Sequence, residues 1–137
     1  SCSLVGSEMC IRDRDYSHAI NLQPDLLEAY HYRGIVRYGM KDLDGALADY
    51  NKAISLGLKS SAVYFNRGVI FHQKGQLSDA IESYSRSIEI DPSNARAYYN
   101  RAISKLIVDN YKEALQDLEI SKRLGYSKAA EIISQYY

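Results

Sequence analysis

The stretch SAVYFNRGVIFHQKGQLSDAIESYSRSIEIDPSN, residues 61–94, decides the fold because its two neighbours align with it without a gap. LEAYHYRGIVRYGMKDLDGALADYNKAISLGLKS precedes it at residues 27–60, and ARAYYNRAISKLIVDNYKEALQDLEISKRLGYSK follows it from residue 95. Aromatic, small and alanine positions recur in fixed columns: Tyr30, Tyr64 and Tyr98; Gly34, Gly68 and Ala102; Ala46, Ala80 and Ala114. Self-similarity at a period of about 34 residues indicates a protein built from stacked structural repeats.

Each segment contains two helical patterns separated by a polar turn. In the first segment Tyr30, Gly34 and Tyr38 recur at four-residue steps, as one face of a helix requires. A second run of apolar residues at helical spacing begins at Leu43. Small residues such as Gly34 and Ala46 allow two helices to approach closely, so we expect these two columns to face each other. The predicted unit is an antiparallel helical hairpin.

This pattern resembles the tetratricopeptide repeat (TPR), a helix–turn–helix unit of about 34 residues. The resemblance implies an all-α fold, a right-handed α-solenoid of antiparallel helical hairpins that forms the TPR superhelix. Arg37 and Lys105 depart from the apolar residue that Phe71 supplies, and Leu58 and Tyr126 replace the terminal proline. The predicted domain at 15–137 comprises a partial repeat (15–26), repeats 27–60, 61–94 and 95–126, and a capping helix (127–137). Eight helices are predicted near 8–22, 26–39, 43–56, 60–74, 77–90, 94–108, 111–124 and 128–136, with no strands.

The segment LVGSEMCIRDR, residues 4–14, has no counterpart in the repeats. A partial repeat at 15–26 should be preceded by its first helix, but Arg12 occupies the column that elsewhere holds a small alanine. Reverse translation of the segment resembles a transposase sequencing-library adapter. We therefore expect residues 1–14 to be non-native adapter read-through on a truncated reading frame. Both cysteines, Cys2 and Cys10, lie within residues 1–14, so the repeats themselves contain none.

Composition excludes several classes of function. Lys and Arg together number 17, as do Asp and Glu, and this balance argues against nucleic acid or an anionic membrane as the main partner. No apolar run approaches the roughly 18 residues of a membrane span. The sequence has neither a Gly-rich phosphate loop nor a nucleophile elbow, and His18, His31 and His72 lack the partners of a zinc site. We predict no catalytic residue, no metal site and no cofactor, and hence no enzyme.

The family resemblance implies a scaffold that binds a peptide or protein segment on the concave face, which the first helix of each repeat lines. A TPR module detached by truncation from a larger enzyme or signalling protein is the alternative. One TPR subclass clamps acidic chaperone tails; Asn66 and Arg96 match two clamp positions, but Asn100 stands where an arginine is needed. The clamp is incomplete, so that function is not predicted. The resemblance places these residues on the ligand-binding face: His31, Ile35, Tyr38, Phe65, Asn66, Val69, His72, Gln73, Arg96, Tyr99, Asn100 and Ile103.

An arginine recurs in each repeat, at Arg33, Arg67 and Arg101. A buried charge without a partner is costly, so each arginine needs an acceptor or solvent. Asp15, Asp49 and Ser83 each precede one of these arginines at the same spacing, which predicts ion pairs or hydrogen bonds between successive repeats. The alternative is a ladder of cations for an acidic ligand.

Overall fold

The computed structural model describes residues 7–137, and this part of the chain contains eight α-helices and no strand. Every helix bound lies within one residue of the prediction, so the all-α prediction is confirmed. The short connections between helices leave room only for tight turns. The helices are α1 (Ser7–Leu22), α2 (Leu27–Gly39), α3 (Leu43–Ser55), α4 (Ser61–Gln73), α5 (Leu77–Ile90), α6 (Ala95–Ile107), α7 (Tyr111–Arg123) and α8 (Ser127–Tyr136).

The helices belong to two compact units, which divide after Lys59. In the first unit α1 packs on α2, and α2 packs on α3. In the second unit each helix from α4 to α8 packs on the next one, and α4 also contacts α6. Within each unit, helices that are neighbours in sequence are therefore neighbours in space, as stacked hairpins require. The three full hairpins are α2–α3, α4–α5 and α6–α7.

The turn inside each hairpin has one residue in the left-handed backbone region. Lys41, Gly75 and Asp109 occupy equivalent places, with φ of 62°, 75° and 61°. Glycine adopts this region without strain, whereas other L-residues adopt it rarely. Asp42 then caps α3 by accepting a hydrogen bond from the Gly45 N–H at 3.0 Å, which satisfies a donor at the helix start. The same backbone geometry therefore reverses the chain in all three hairpins.

The core of the first two hairpins is built from a glycine facing a tyrosine ring. A Cβ added to Gly34 would lie 2.8 Å from the ring of Tyr50, and one added to Gly68 would lie 2.6 Å from the ring of Tyr84. Both tyrosines are fully buried. The repeat columns predicted that Gly34 faces Ala46, but the residue nearest to Gly34 is Tyr50. The tyrosine belongs there because its flat ring fills the space that the missing side chain leaves.

The last helix covers the third hairpin. Ala129 of α8 is fully buried, and Ile132 and Ile133 pack against a cluster that includes Ala114 and Leu118. Leu118 is also fully buried. A helix in this position removes apolar surface of α7 from water, which is the role expected of the predicted capping helix.

The residues from Ser7 to Arg14 form the first half of α1. Asp13 in this half accepts a hydrogen bond from Arg37 Nε at 2.9 Å. Residues 1–6 of the predicted adapter segment lie outside the described residues. The adapter origin and the domain boundaries remain predictions. No helix within residues 7–137 has the combination of length and apolar character that crossing a membrane requires.

Candidate functional site

A cleft of about 250 Å³ opens between α4 and α6 in the second unit, with α5 beneath it. Six of the twelve residues predicted to form a ligand-binding face line this cleft. Tyr84 of α5 is an additional lining residue, which was not among the predicted site residues. The lining residues are Val69, His72, Gln73, Tyr84, Tyr99, Asn100 and Ile103.

Helical spacing brings these side chains together. Val69, His72 and Gln73 are three and four residues apart on α4, so they share one face of the helix. Tyr99 and Ile103 are four residues apart on α6 and share a face in the same way. These two faces supply the walls of the cleft, and the buried ring of Tyr84 lies between them.

His72 is held by a contact with the neighbouring hairpin. Its Nδ1 atom lies 2.9 Å from the Oγ atom of Ser104, a fully buried residue of α6. Ser104 was not among the predicted site residues. His72 and Ser104 are 32 residues apart, so the repeat columns alone do not indicate this contact.

Three polar groups of the cleft lack partners within the described chain. Nε2 of His72 and the side-chain amides of Gln73 and Asn100 form no hydrogen bond within residues 7–137. Val69, Tyr84 and Ile103 supply apolar surface next to these groups. The cleft can therefore hold an apolar side chain while it exchanges hydrogen bonds with an adjacent polar group.

Phe65, Asn66 and Arg96 are predicted site residues that lie outside the lining of the cleft. The Phe65 ring is 5.8 Å from the Tyr84 ring, measured between centroids, and the Arg96 guanidinium lies 5.2 Å above the Phe65 ring. Arg96 is exposed, whereas Phe65 and Asn66 are partly buried. Phe65 therefore packs against the back of the cleft and supports Tyr84.

Tyr99 makes a second aromatic contact outside the cleft. Its ring centroid is 4.9 Å from that of Tyr126, in an edge-to-face arrangement. Burial raises the pKa of the Tyr99 phenol, and the nearby Tyr126 and Glu131 raise it further. The hydroxyl of Tyr99 therefore stays neutral near pH 7, where it can donate a hydrogen bond.

The remaining predicted residues, His31, Ile35 and Tyr38, lie on α2 in the first unit and do not line this cleft. His31 stacks on Tyr32 with ring centroids 5.0 Å apart. Burial lowers the pKa of His31, and Glu28 opposes that shift. Ile35 is 43% exposed, so it presents apolar surface to solvent.

The recurring arginines bind acceptors on the second helix of their own hairpin. Arg33 donates from Nε and Nη2 to Asp49 at 2.8 and 2.7 Å, and this hydrogen bonding raises the pKa of Arg33. Arg101 binds Asp117 with the same two distances. The predicted partners Asp15 for Arg33 and Ser83 for Arg101 were wrong, because the carboxylate that each arginine binds lies 16 residues after it in the sequence.

Neutral serines supply the contacts of these arginines with the preceding helix. Ser17 accepts a hydrogen bond from Arg33 Nη1 at 3.0 Å, and Ser85 accepts one from Arg101 Nη1 at the same distance. Asp49 and Asp117 are 2% and 3% exposed, so both ion pairs are largely shielded from water. The charges of Arg33 and Arg101 are therefore already paired within the protein.

No group of three or more His, Cys, Asp or Glu side chains between residues 7 and 137 comes close enough together to hold a metal ion. The titratable groups of the cleft are His72, Tyr84 and Tyr99. Together with Gln73 and Asn100, these side chains give the cleft hydrogen-bonding groups beside apolar surface.

Comparisons with known proteins address the fold. The TPR repeat family profile matches residues 68–105. A search of curated protein sequences finds no significant match. The structure of MamA from Desulfovibrio magneticus RS-1 is similar, with a TM-score of 0.76 at 18% identity over 88% of this chain and 68% of that one.

Two further solved structures give the same result. Another crystal structure of MamA has a TM-score of 0.77 at 18% identity, over 89% of this chain and 77% of that one. The TPR domain of Arabidopsis OM64 has a TM-score of 0.71 at 23% identity, over 81% of this chain and 96% of that domain. Residues 68–105 carry a TPR sequence signature, and the fold is that of TPR solenoid proteins.

Proposed function

We propose that this protein is a protein–protein interaction scaffold, and that the cleft between α4 and α6 receives a peptide or protein segment. The observation that carries the proposal is the composition of the cleft. Apolar walls from Val69 and Ile103 lie beside the amides of Gln73 and Asn100, which form no hydrogen bond within residues 7–137. An extended polypeptide presents the matching features, a side chain next to main-chain polar groups.

The size of the cleft supports a peptide side chain as its occupant. Its volume of about 250 Å³ lies below the roughly 300–1,000 Å³ of pockets that enclose a drug-sized molecule. The cleft is open to solvent, so a longer chain can continue beyond it. A peptide residue with its neighbours on either side fits these dimensions better than an enclosed metabolite does.

Aromatic side chains provide the main binding surface in this proposal. Tyr99 offers a large contact area and loses few rotamers when a ligand binds, which is typical of residues that dominate binding energy. Its edge-to-face contact with Tyr126 already restrains the ring. We expect Tyr99 and Ile103 to contribute more than any exposed charge on the second helices.

A peptide selection tests this proposal and does not require the natural partner to be identified first. Peptides are selected from a random phage-displayed library on the full chain, and their affinities are measured by calorimetry. We expect Tyr99→Ala and Ile103→Ala to weaken binding by about tenfold or more, as truncation of a central interface residue does. We expect Phe65→Ala and Asn66→Ala to weaken it as well, because Phe65 packs against the Tyr84 ring and Asn66 has the helical spacing of Val69 and Gln73 on α4.

Glu119→Ala provides the matched control, because Glu119 is exposed on α7 and forms no ion pair in the described chain. Glu82 is unsuitable for this purpose because it binds Arg67 at 2.9 Å. Equal affinities for Glu119→Ala and Tyr99→Ala would place the binding surface elsewhere and refute the proposal.

A further inference from the structure

We infer that Ser104 fixes the tautomer of His72, so that the cleft presents an N–H donor to a main-chain carbonyl of the ligand beside an apolar side chain. The tautomer of His72 depends on its hydrogen bond with Ser104. The carbonyl as the recognised group rests on the proposed function, because the same cleft receives the ligand.

The Ser104 hydroxyl determines the direction of this hydrogen bond. A hydroxyl has one hydrogen to donate, and Ser104 Oγ has a single hydrogen-bond partner within residues 7–137, the Nδ1 atom of His72 at 2.9 Å. Ser104 is fully buried, so water does not compete for that hydrogen. Leaving the hydroxyl hydrogen unbonded in a buried site is unfavourable, so Ser104 donates and His72 Nδ1 accepts.

The direction of the bond sets the proton on the imidazole. A neutral histidine carries one N–H, and a ring nitrogen that accepts a hydrogen bond has none. His72 therefore carries its proton on Nε2, which has no partner in the described chain. In the protonated ring Nδ1–H would donate to Ser104 Oγ instead, and Nε2 would still be a donor. His72 offers a donor to the cleft in both forms.

The surroundings of His72 favour a ligand that brings an acceptor. Neither α4 nor α6 contains an Asp or Glu residue, so no carboxylate on these two helices competes for the Nε2 proton. Val69 and Ile103 provide apolar contact within the same cleft. A main-chain carbonyl and the aliphatic side chain beside it satisfy both features together.

Nuclear magnetic resonance tests the tautomer directly. In the ¹⁵N-labelled full chain, the two ring nitrogens of a neutral histidine have different chemical shifts, and only the protonated one is pyrrole-like. We expect the Nε2–H form to dominate for His72 in the unmodified protein. In Ser104→Ala we expect a mixture of both tautomers, and alanine is a good helix former that keeps α6 intact. An Nδ1–H form in the unmodified protein overturns the inference.

Two small probes test the ligand chemistry. N-acetyl-leucine N′-methylamide carries two carbonyl acceptors and an aliphatic side chain, whereas 3-methylbutylammonium carries a similar alkyl group and only donors. We expect the amide to shift the resonances of His72 and Ile103 and to bind about two- to tenfold more weakly to Ser104→Ala. Glu119→Ala should leave its affinity unchanged.

The outcomes separate this inference from the proposed function. If the ammonium probe binds the cleft as well as the amide does, or if neither probe shifts cleft resonances, acceptor recognition is overturned. The peptide selection can still succeed in those cases. If selected peptides are insensitive to Tyr99→Ala, the proposed function fails, while the His72 tautomer result stands by itself.

Discussion

The middle hairpin, α4–α5, and the third hairpin, α6–α7, hold the recurring arginine in different ways. In the third hairpin Arg101 shares the buried Asp117 with Lys105, whose Nζ lies 2.9 Å from Asp117 Oδ2. In the middle hairpin Arg67 donates to the neutral Ser83 at 3.0 Å and to an exposed glutamate on α5. The third hairpin therefore buries two cations around one carboxylate, and the middle one does not.

The apolar contacts of these hairpins differ in a parallel way. Gly68 faces the ring of Tyr84 in the middle hairpin, whereas Ala102 and Leu118 hold the equivalent places in the third and are both fully buried. Compared with the middle hairpin, the third hairpin has a smaller side chain on its second helix and a larger one on its first helix. The residues at these two positions therefore change together because they face each other across the hairpin. Substitutions that mix the two arrangements should be costly.

The largest effect is expected from Asp117→Ala. It leaves Arg101 and Lys105, whose side chains are 18% and 10% exposed, without their shared buried carboxylate. Removing one partner of a buried ion pair costs about 3–5 kcal/mol, and we expect the lower end because both cations can move toward water. Chemical denaturation measures this loss of unfolding free energy.

Ser83→Ala is the matched change in the middle hairpin. It removes a neutral acceptor and leaves Arg67 bound to Glu82, so we expect a loss of about 1 kcal/mol. If Ser83→Ala costs as much as Asp117→Ala, the distinction between the two hairpins is wrong.

Gly68→Ala should have an intermediate effect. The added Cβ would lie 2.6 Å from the buried ring of Tyr84, which cannot move without disturbing the core. Overpacking of this kind costs about 1–3 kcal/mol, although alanine's higher helix propensity offsets about 1 kcal/mol.

A double-mutant cycle with Tyr84→Leu tests the cause of that loss. Leucine opposite alanine reproduces the pair found in the third hairpin. We expect the double variant to be more stable than the two single changes predict, by about 0.5–3 kcal/mol. Simple additivity of the two losses would show that the glycine is needed for another reason.

An effect as small as that of Ser83→Ala is expected from transplanting the charges of the third hairpin. Phe71→Lys should leave an ammonium without a buried carboxylate, and Ser83→Asp should supply one. We expect a favourable coupling between the two changes of roughly 1 kcal/mol in a denaturation cycle, even if each single change destabilises the protein. An unfavourable coupling would mean that the two positions do not face each other as Lys105 and Asp117 do.

The fold could be predicted from the sequence because its determinants are local. The four-residue spacing of Tyr30, Gly34 and Tyr38 and the polar residues at Lys41 and Asp42 fix a helix and its end within a few residues. The same local pattern then recurs in each repeat. Each predicted helix bound was correct to within one residue for this reason.

The pairing of side chains across helices was harder to predict. Asp49 lies 16 residues after Arg33 and a similar distance before Arg67, and the sequence does not say which arginine it binds. Asp117 lies 16 residues after Arg101, the same spacing as between Arg33 and Asp49. This shared spacing was the sequence feature that indicated pairing within one hairpin. Tyr84 is both buried and part of the cleft lining, and the sequence pattern does not distinguish these two roles. The Ser104 contact depends on the packing of α4 against α6.

The location of the buried ion pairs has a consequence for how such proteins change in evolution. Arg33 with Asp49, and Arg101 with Asp117, each lie within one hairpin, whereas contacts of these arginines with the preceding helix use the neutral Ser17 and Ser85. Duplication or loss of a whole hairpin would therefore carry each buried cation together with its carboxylate. A lineage could lengthen or shorten the array of repeats by unequal recombination without leaving these buried charges unpaired.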